Sequence, residues 1–228
     1  DVPEIDSLVL RKGISFLEGT EREVQTIDTL LRNKQIPVAL MSGMAGTEES
    51  FKQLSGQSTT LLHVATHGFY SPLTGHYTAQ RSFEEQALSR SGLFLSGAAA
   101  SLNMKKIPED IEDGILTAKE LSKLDLSNLN LAILSACQTG LGEIVGDGVF
   151  GLQRGFKKAG AQTLLMSLWK VDDTATQLLM AEFYKNLVSG QNKRAAFLNA
   201  QKYLRSYQNG IYDKPEYWAA FIMLDGIH

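Results

Sequence analysis

Cys137 and His67 are the two side chains in this chain best suited to covalent chemistry, and each stands just past an apolar run. Cys137 follows Asn130-Leu131-Ala132-Ile133-Leu134-Ser135-Ala136 and precedes Gln138-Thr139-Gly140. His67 follows Thr59-Thr60-Leu61-Leu62-His63-Val64-Ala65-Thr66 and precedes Gly68. A thiol needs a base or an electropositive setting to become a thiolate near neutral pH. Histidine titrates in that range and can serve as the base. Gly68 adds a backbone N–H that can face a substrate carbonyl with no side chain in the way. With the N–H of Cys137 it can form an oxyanion hole. Gly140 and Gly142 leave room for a substrate beside the nucleophile.

The competing reading is that a single cysteine at the end of an apolar strand is a small buried hydrophobe. Against it stands the second reactive residue, His67, at the end of another such strand. His63 lies inside its strand and reads as packed or hydrogen-bonded, whereas His76 and His228 have no evident partner. No set of His, Cys or carboxylate residues has metal-ligand spacing, so no metal is expected.

These residues need elements to hold them. Val24, Ile27, Leu30 and Leu31 follow Thr20 and Glu23 at helical spacing, so the pattern predicts a helix over 21–33 with a capping box at Thr20. Pro37–Met41 reads as a short strand, and Thr47 with Ser50 opens a second helix. Thr59–Thr66, Asn130–Ala136, Thr163–Leu168 and Trp218–Met223 read as strands. Thr117 with Glu120 is another capping box. Helices are expected around Val149–Phe156, over Thr176–Leu187 with Asp173 or Thr174 as cap, and over Lys193–Tyr207. Residues 68–114 show weak periodicity, with only Leu93-Phe94-Leu95 strand-like, and read as a long loop insertion beside the site. Strands that are apolar throughout and alternate with helices predict an α/β fold, a mainly parallel sheet flanked by helices on both faces. In such sheets, sites form at the carboxyl ends of strands.

The length of 228 residues suits a single domain spanning 1–228, and 43% hydrophobic residues are enough for a sizeable core. A net charge of −3 without dense Lys/Arg runs argues against direct nucleic-acid contact. No run reaches the ~18 apolar residues of a membrane span. The opening Asp1-Val2-Pro3-Glu4 is neither a signal peptide nor an initiator, so the chain is expected to be the C-terminal part of a longer protein. One cysteine precludes an internal disulfide and suits a reducing, cytoplasmic setting. The glycines at 140–148 lack both the dinucleotide G-x-G-x-x-G spacing and a following Lys-Ser/Thr, which argues against a nucleotide site.

Five segments together resemble one family: His-Val-Ala-Thr-His-Gly-Phe-Tyr (63–70), Leu-Ser-Ala-Cys-Gln-Thr-Gly (134–140), Gly-Asp-Gly-Val-Phe-Gly-Leu (146–152), Ala-Gly-Ala (159–161) and Ser-Leu-Trp-Lys-Val-Asp-Asp (167–173). In this order they resemble the CHAT domain, a bacterial member of the caspase, separase and gingipain superfamily often fused to tetratricopeptide repeats. The resemblance implies a caspase-like fold and a cysteine endopeptidase with a Cys137–His67 dyad, acting through a thioester in a regulated bacterial pathway. It also implies a repeat region elsewhere in the parent chain, a protein substrate and no required cofactor. Separase-like relatives carry an acidic residue after the strand that follows the nucleophile's helix. Asp172 and Asp173 stand there, Asp172 being preferred and Asp147 a further candidate, and such a residue would select Arg or Lys before the scissile bond. The bland roles are helix capping for Asp173 and a helix N-terminus for Asp147. Residues 68–114, with Arg81 and Arg90 as self-cleavage candidates, are expected to change order on activation. The alternatives are a catalytically silent interaction module and an enzyme acting on small esters or amides. A G-x-S-x-G elbow for the serine version is absent.

Overall fold

A computed structural model describes residues 18–71, 83–103, 112–135, 143–145, 148–169 and 171–226. In chain order its elements begin with helix α1 (Glu18–Asn33), helix α2 (Glu48–Lys52), strand β1 (Leu61–Val64), strand β2 (His67–Tyr70) and helix α3 (Phe83–Leu88). Strand β3 (Ser91–Phe94), helix α4 (Ala98–Asn103), strand β4 (Ile115–Thr117), helix α5 (Ala118–Leu121) and strand β5 (Leu131–Leu134) follow. Then come strands β6 (Glu143–Val145) and β7 (Gly148–Phe150), helix α6 (Leu152–Ala159), strand β8 (Thr163–Ser167), helix α7 (Asp173–Val188), helix α8 (Lys193–Ser206), helix α9 (Pro215–Trp218) and strand β9 (Phe221–Asp225). The fold is α/β and caspase-like, with a mostly parallel central sheet. The chain forms two compact units, one built on Met41–Trp169 and rejoined by the chain from Leu224, the other on Phe16–Leu40 with Lys170–Met223.

The first unit is organised by a sheet ordered β1-β5-β8-β9, in which β1, β5 and β8 run parallel. Every residue of β5 and β8 is buried, which explains why both read as unbroken apolar runs. β1, at the edge, is buried only at Val64 and half-buried elsewhere. At the far end, Thr163 Oγ1 donates to Asp225 Oδ1 at 2.9 Å. Beside this sheet, α6 buries Leu152, Gly155, Phe156 and Ala159, one face of a helix. Gly155 sits so close to α5 that a Cβ there would come within 2.8 Å of Ala118 O.

A second, antiparallel sheet orders β2-β3-β4, with His67 opposite Phe94, Phe69 opposite Gly92 and Leu93 opposite Leu116. Phe69, Phe94, Ala98 and Ile115 form its core, with Leu102 packed against them. The Phe69 and Phe94 rings stack at 4.8 Å. This sheet corrects the loop reading of 68–114. Where described, that stretch holds β2, α3, β3 and α4, while 72–82 and 104–111 lie outside the described residues. The strands are only four residues long, and Gly68 and Gly92 break their alternation. What stabilises them is the partner strand rather than a local pattern.

The caps at Thr47 and Thr117 form as expected. Thr47 Oγ1 accepts from Ser50 N–H, and Thr117 with Glu120 completes a capping box. The cap expected at Thr20 does not form, because α1 already begins at Glu18 and Thr20 falls in its first turn. Pro37–Met41 joins no strand. Leu40 and Met41 are exposed, so β propensity there finds no ladder partner among the described residues.

In the second unit, α7 packs against α1 and α8. Phe183 meets Tyr184 and Phe197 edge to face, with centroids 6.0 Å apart in both pairs.

Candidate active site

β1 and β5 are parallel neighbours in register, Leu61 opposite Leu131 and Val64 opposite Leu134. One further backbone bond continues the ladder, from Ser135 N–H to Val64 O at 3.0 Å. His63 Nε2 lies 3.3 Å from Ser135 Oγ, so the histidine expected to be packed or hydrogen-bonded joins the two strands. Both strands end at one rim. Three residues beyond Val64 the sequence reaches His67, and three residues beyond Leu134 it reaches Cys137.

His67 is half-buried and does not sit in a loop after β1. It is the first residue of β2, opposite Phe94. The chain turns between the two sheets over Ala65 and Thr66, and the Thr66 hydroxyl donates to Phe94 O. Sequence reasoning passed over Thr66, although its place directly before His-Gly was the available signal. Gly68 follows opposite Leu93. Cys137 and Asp147 lie outside the described residues.

The acidic pair after β8 is resolved by capping geometry. Asp172 is the N-cap of α7, with extended backbone (φ −73°, ψ 129°), and its Oδ1 accepts from Ala175 N–H at 2.8 Å. The cap expected at Asp173 or Thr174 therefore falls at Asp172, since α7 starts a residue earlier than its apolar pattern. Asp173 is exposed in the first turn, and its side chain lies where a Cβ on Gly19 would be, 2.7 Å from Asp173 Cβ.

One electrostatic cluster was missed. Glu48, Glu112 and Glu120 converge with their oxygens within 4.8 Å of one another, but Lys52 Nζ already lies among them, at 2.8, 2.8 and 3.3 Å respectively. The ammonium thus holds the place a cation would take. Burial opposes the Lys52 charge, yet a hydrogen bond to Glu112 and the ion pair with the Glu48 carboxylate outweigh it and raise the amine above its ordinary value. Burial pushes Glu48 up to about 7, with Glu120 and Glu112 repelling its charge and Lys52 opposing both. Burial likewise works to raise Glu120, but the hydroxyl and N–H of Thr117 and the Lys52 charge hold it below the usual range. The i,i+4 spacing of Glu48 and Lys52 was the one sequence hint.

The CHAT domain family model matches residues 6–226. The chain is also 34% identical over 110 residues to tetratricopeptide repeat protein 28 of Mus musculus, covering 48% of this chain and 4% of that protein. It is 32% identical over 114 residues to the Homo sapiens protein of the same name, covering 50% and 4%. The chain thus spans a small fraction of the length of these relatives. Both are mammalian, so they lend nothing to the expectation of a bacterial source. No helix among the described residues is long and apolar enough to cross a membrane.

Proposed function

Since the chain belongs to the CHAT domain family, we propose that it is a cysteine endopeptidase in which Cys137 is the nucleophile and His67 the base. The observation that carries this reading is the parallel register of β1 and β5, which brings the chain exits toward His67 and Cys137 to one rim of the sheet. A dyad requires a thiol and an imidazole within hydrogen-bonding reach, and strands that leave toward one rim are what would allow it.

In the proposed reaction His67 takes the thiol proton as the Cys137 sulfur attacks the peptide carbonyl carbon. The N–H groups of Gly68 and Cys137 receive the oxyanion. The tetrahedral intermediate collapses, His67 passes its proton to the leaving amine, and a thioester remains. A water molecule, losing a proton to His67, then releases the acid and restores the thiol. Specificity for Arg or Lys before the scissile bond rests on the acidic residues Asp172, Asp173 and Asp147. Of the first two, Asp173 is the stronger candidate, because its carboxylate is not the one that caps α7. We assign the activity to the cytoplasm, with a protein substrate and a repeat region in the parent chain as its sensing part. The repeat name of both relatives supports that association.

Incubating the protein with peptides bearing each residue at P1 tests the reading. Cleavage after Arg and Lys that vanishes in Cys137→Ala and in His67→Ala is the expected result. No cleavage of any peptide, together with an inert thiol toward chloromethylketones, would establish instead the silent interaction module.

A further inference from the structure

Glu48 is a carboxylate with no exposed surface, an expensive feature that folds keep only when its oxygens are well partnered. Its Oε2 accepts from Gly114 N–H at 3.0 Å. Its Oε1 faces Lys52 Nζ at 2.8 Å, as an ion pair rather than a well-directed hydrogen bond. Gly114 stands at φ +75°, and a Cβ there would come within 2.5 Å of Ala98 N, so the backbone in this turn is closely confined.

The turn leads to the site in a few steps. Gly114 O accepts from Leu95 N–H at 2.7 Å. Leu95 follows Phe94, which lies opposite His67 and accepts the Thr66 hydroxyl. On the other side of the turn, Ile115 opens β4 and pairs with Phe94. Next to Glu48, Thr47 bridges to Ser96, and Ser96 N–H donates to Gly46 O at 2.9 Å. The start of α2 is therefore bound to the exact end of the antiparallel sheet that carries His67 and Gly68.

We infer that Glu48 is a positioning residue: by holding the Gly114 N–H it fixes the β3–β4 end against which His67 and Gly68 are paired. This rests on the proposed roles of those two residues. Three groups face the Glu48 carboxylate from the elements around it: Lys52 from its own helix, Glu112 from the segment before β4 and Glu120 from α5. Lys52 and Glu112 form the outer part of the cluster and do not touch the Gly114 N–H. The acceptor's reach, rather than the net charge, is what the role demands.

Four variants separate these contributions. Glu48→Gln keeps an oxygen at the same reach, Glu48→Asp keeps the charge but draws it back by a methylene, Glu48→Ala removes both, and Glu112→Gln alters only the outer pair. Each is measured for thermal midpoint, for kcat and KM on a cleaved peptide, and for the imidazole NMR signals of His67. Glu48→Asp and Glu48→Ala are expected to lower kcat by about tenfold or more with KM little changed, the signature of a misplaced catalytic group. Both should shift the His67 signals, while Glu48→Gln and Glu112→Gln stay near wild type. Should Glu48→Ala fail to fold, the comparison of Gln with Asp carries the same test. Unchanged His67 signals in a folded Glu48→Asp, or activity retained by Asp and lost by Gln, would overturn the inference. If wild type cleaves nothing, the protease reading fails by itself, and the His67 signals still decide whether Glu48 positions that strand.

Discussion

Val64 and Leu134 lie opposite each other on adjacent parallel strands, and the chain leaves both toward the same rim. That one pairing joins distant parts of the chain, for 72 residues separate His63 and Ser135, whose side chains meet across the two strands. A parallel ladder slants its bonds evenly along the strands, so the ends of β1 and β5 stay level with each other.

If His67 and Cys137 act as one unit at that rim, their losses will not add. Each single alanine variant is expected to reduce kcat/KM by about 10³-fold or more, and the double variant to be no worse than either alone. Steady-state kinetics on a P1-Arg peptide measures this. Multiplicative losses would mean that the two side chains serve independent roles.

Gly92 should tolerate no side chain. It lies opposite Phe69, and a Cβ would stand 2.5 Å from Leu116 O and 2.7 Å from the Phe69 ring. Gly92→Ala must push apart β3, β4 and the Phe69–Phe94 stack at once, an overpacking cost of about 1–3 kcal/mol. A chemical denaturation midpoint unchanged from wild type would show that the sheet yields more easily than its packing indicates.

The elements that were legible in the sequence are those whose reason is local. Leu131–Leu134 and Leu164–Met166 read as buried strands because both faces are covered, so no polar residue interrupts them. Thr47 and Thr117 read as caps because the bonds that make them caps span only three residues. Of β3 only Leu93-Phe94 was legible, and β2 was not, since His67-Gly68-Phe69-Tyr70 has neither alternation nor length and becomes a strand only beside Ser91–Phe94. The reactive residues themselves stood out by type. The bond that we infer positions one of them did not, because Glu48 and Gly114 are 66 residues apart and nothing in either local pattern points to the other.

Asp172 and Asp173 are distinguishable by experiment. Asp172→Ala removes the side-chain cap of α7 and should cost about 1 kcal/mol, with Asp172→Asn retaining most of it. On the specificity reading, Asp173→Asn lowers cleavage after Arg while leaving the denaturation midpoint near wild type. Cleavage after Arg that survives Asp173→Asn and falls with Asp172→Asn would return the substrate role to the capping residue.

Glu48 also gives the fold a pH dependence whose sign can be worked out. Its carboxyl titrates at about 7 in the folded chain, above the ordinary value of 4.5 that it regains on unfolding. The folded state therefore binds the Glu48 proton more tightly than the unfolded state does. The stability tied to this group is fully present below about 4.5 and is lost as pH rises through about 7. Thermal midpoints of wild type and Glu48→Gln should diverge over that window, with wild type falling toward alkaline pH and the amide variant lacking this component. Lys52→Met removes the cation that favours the charged form, so its decline should move to higher pH. A wild-type midpoint that rises from pH 5 to 8 relative to Glu48→Gln would mean that Lys52 outweighs burial, and that the carboxylate stays charged throughout.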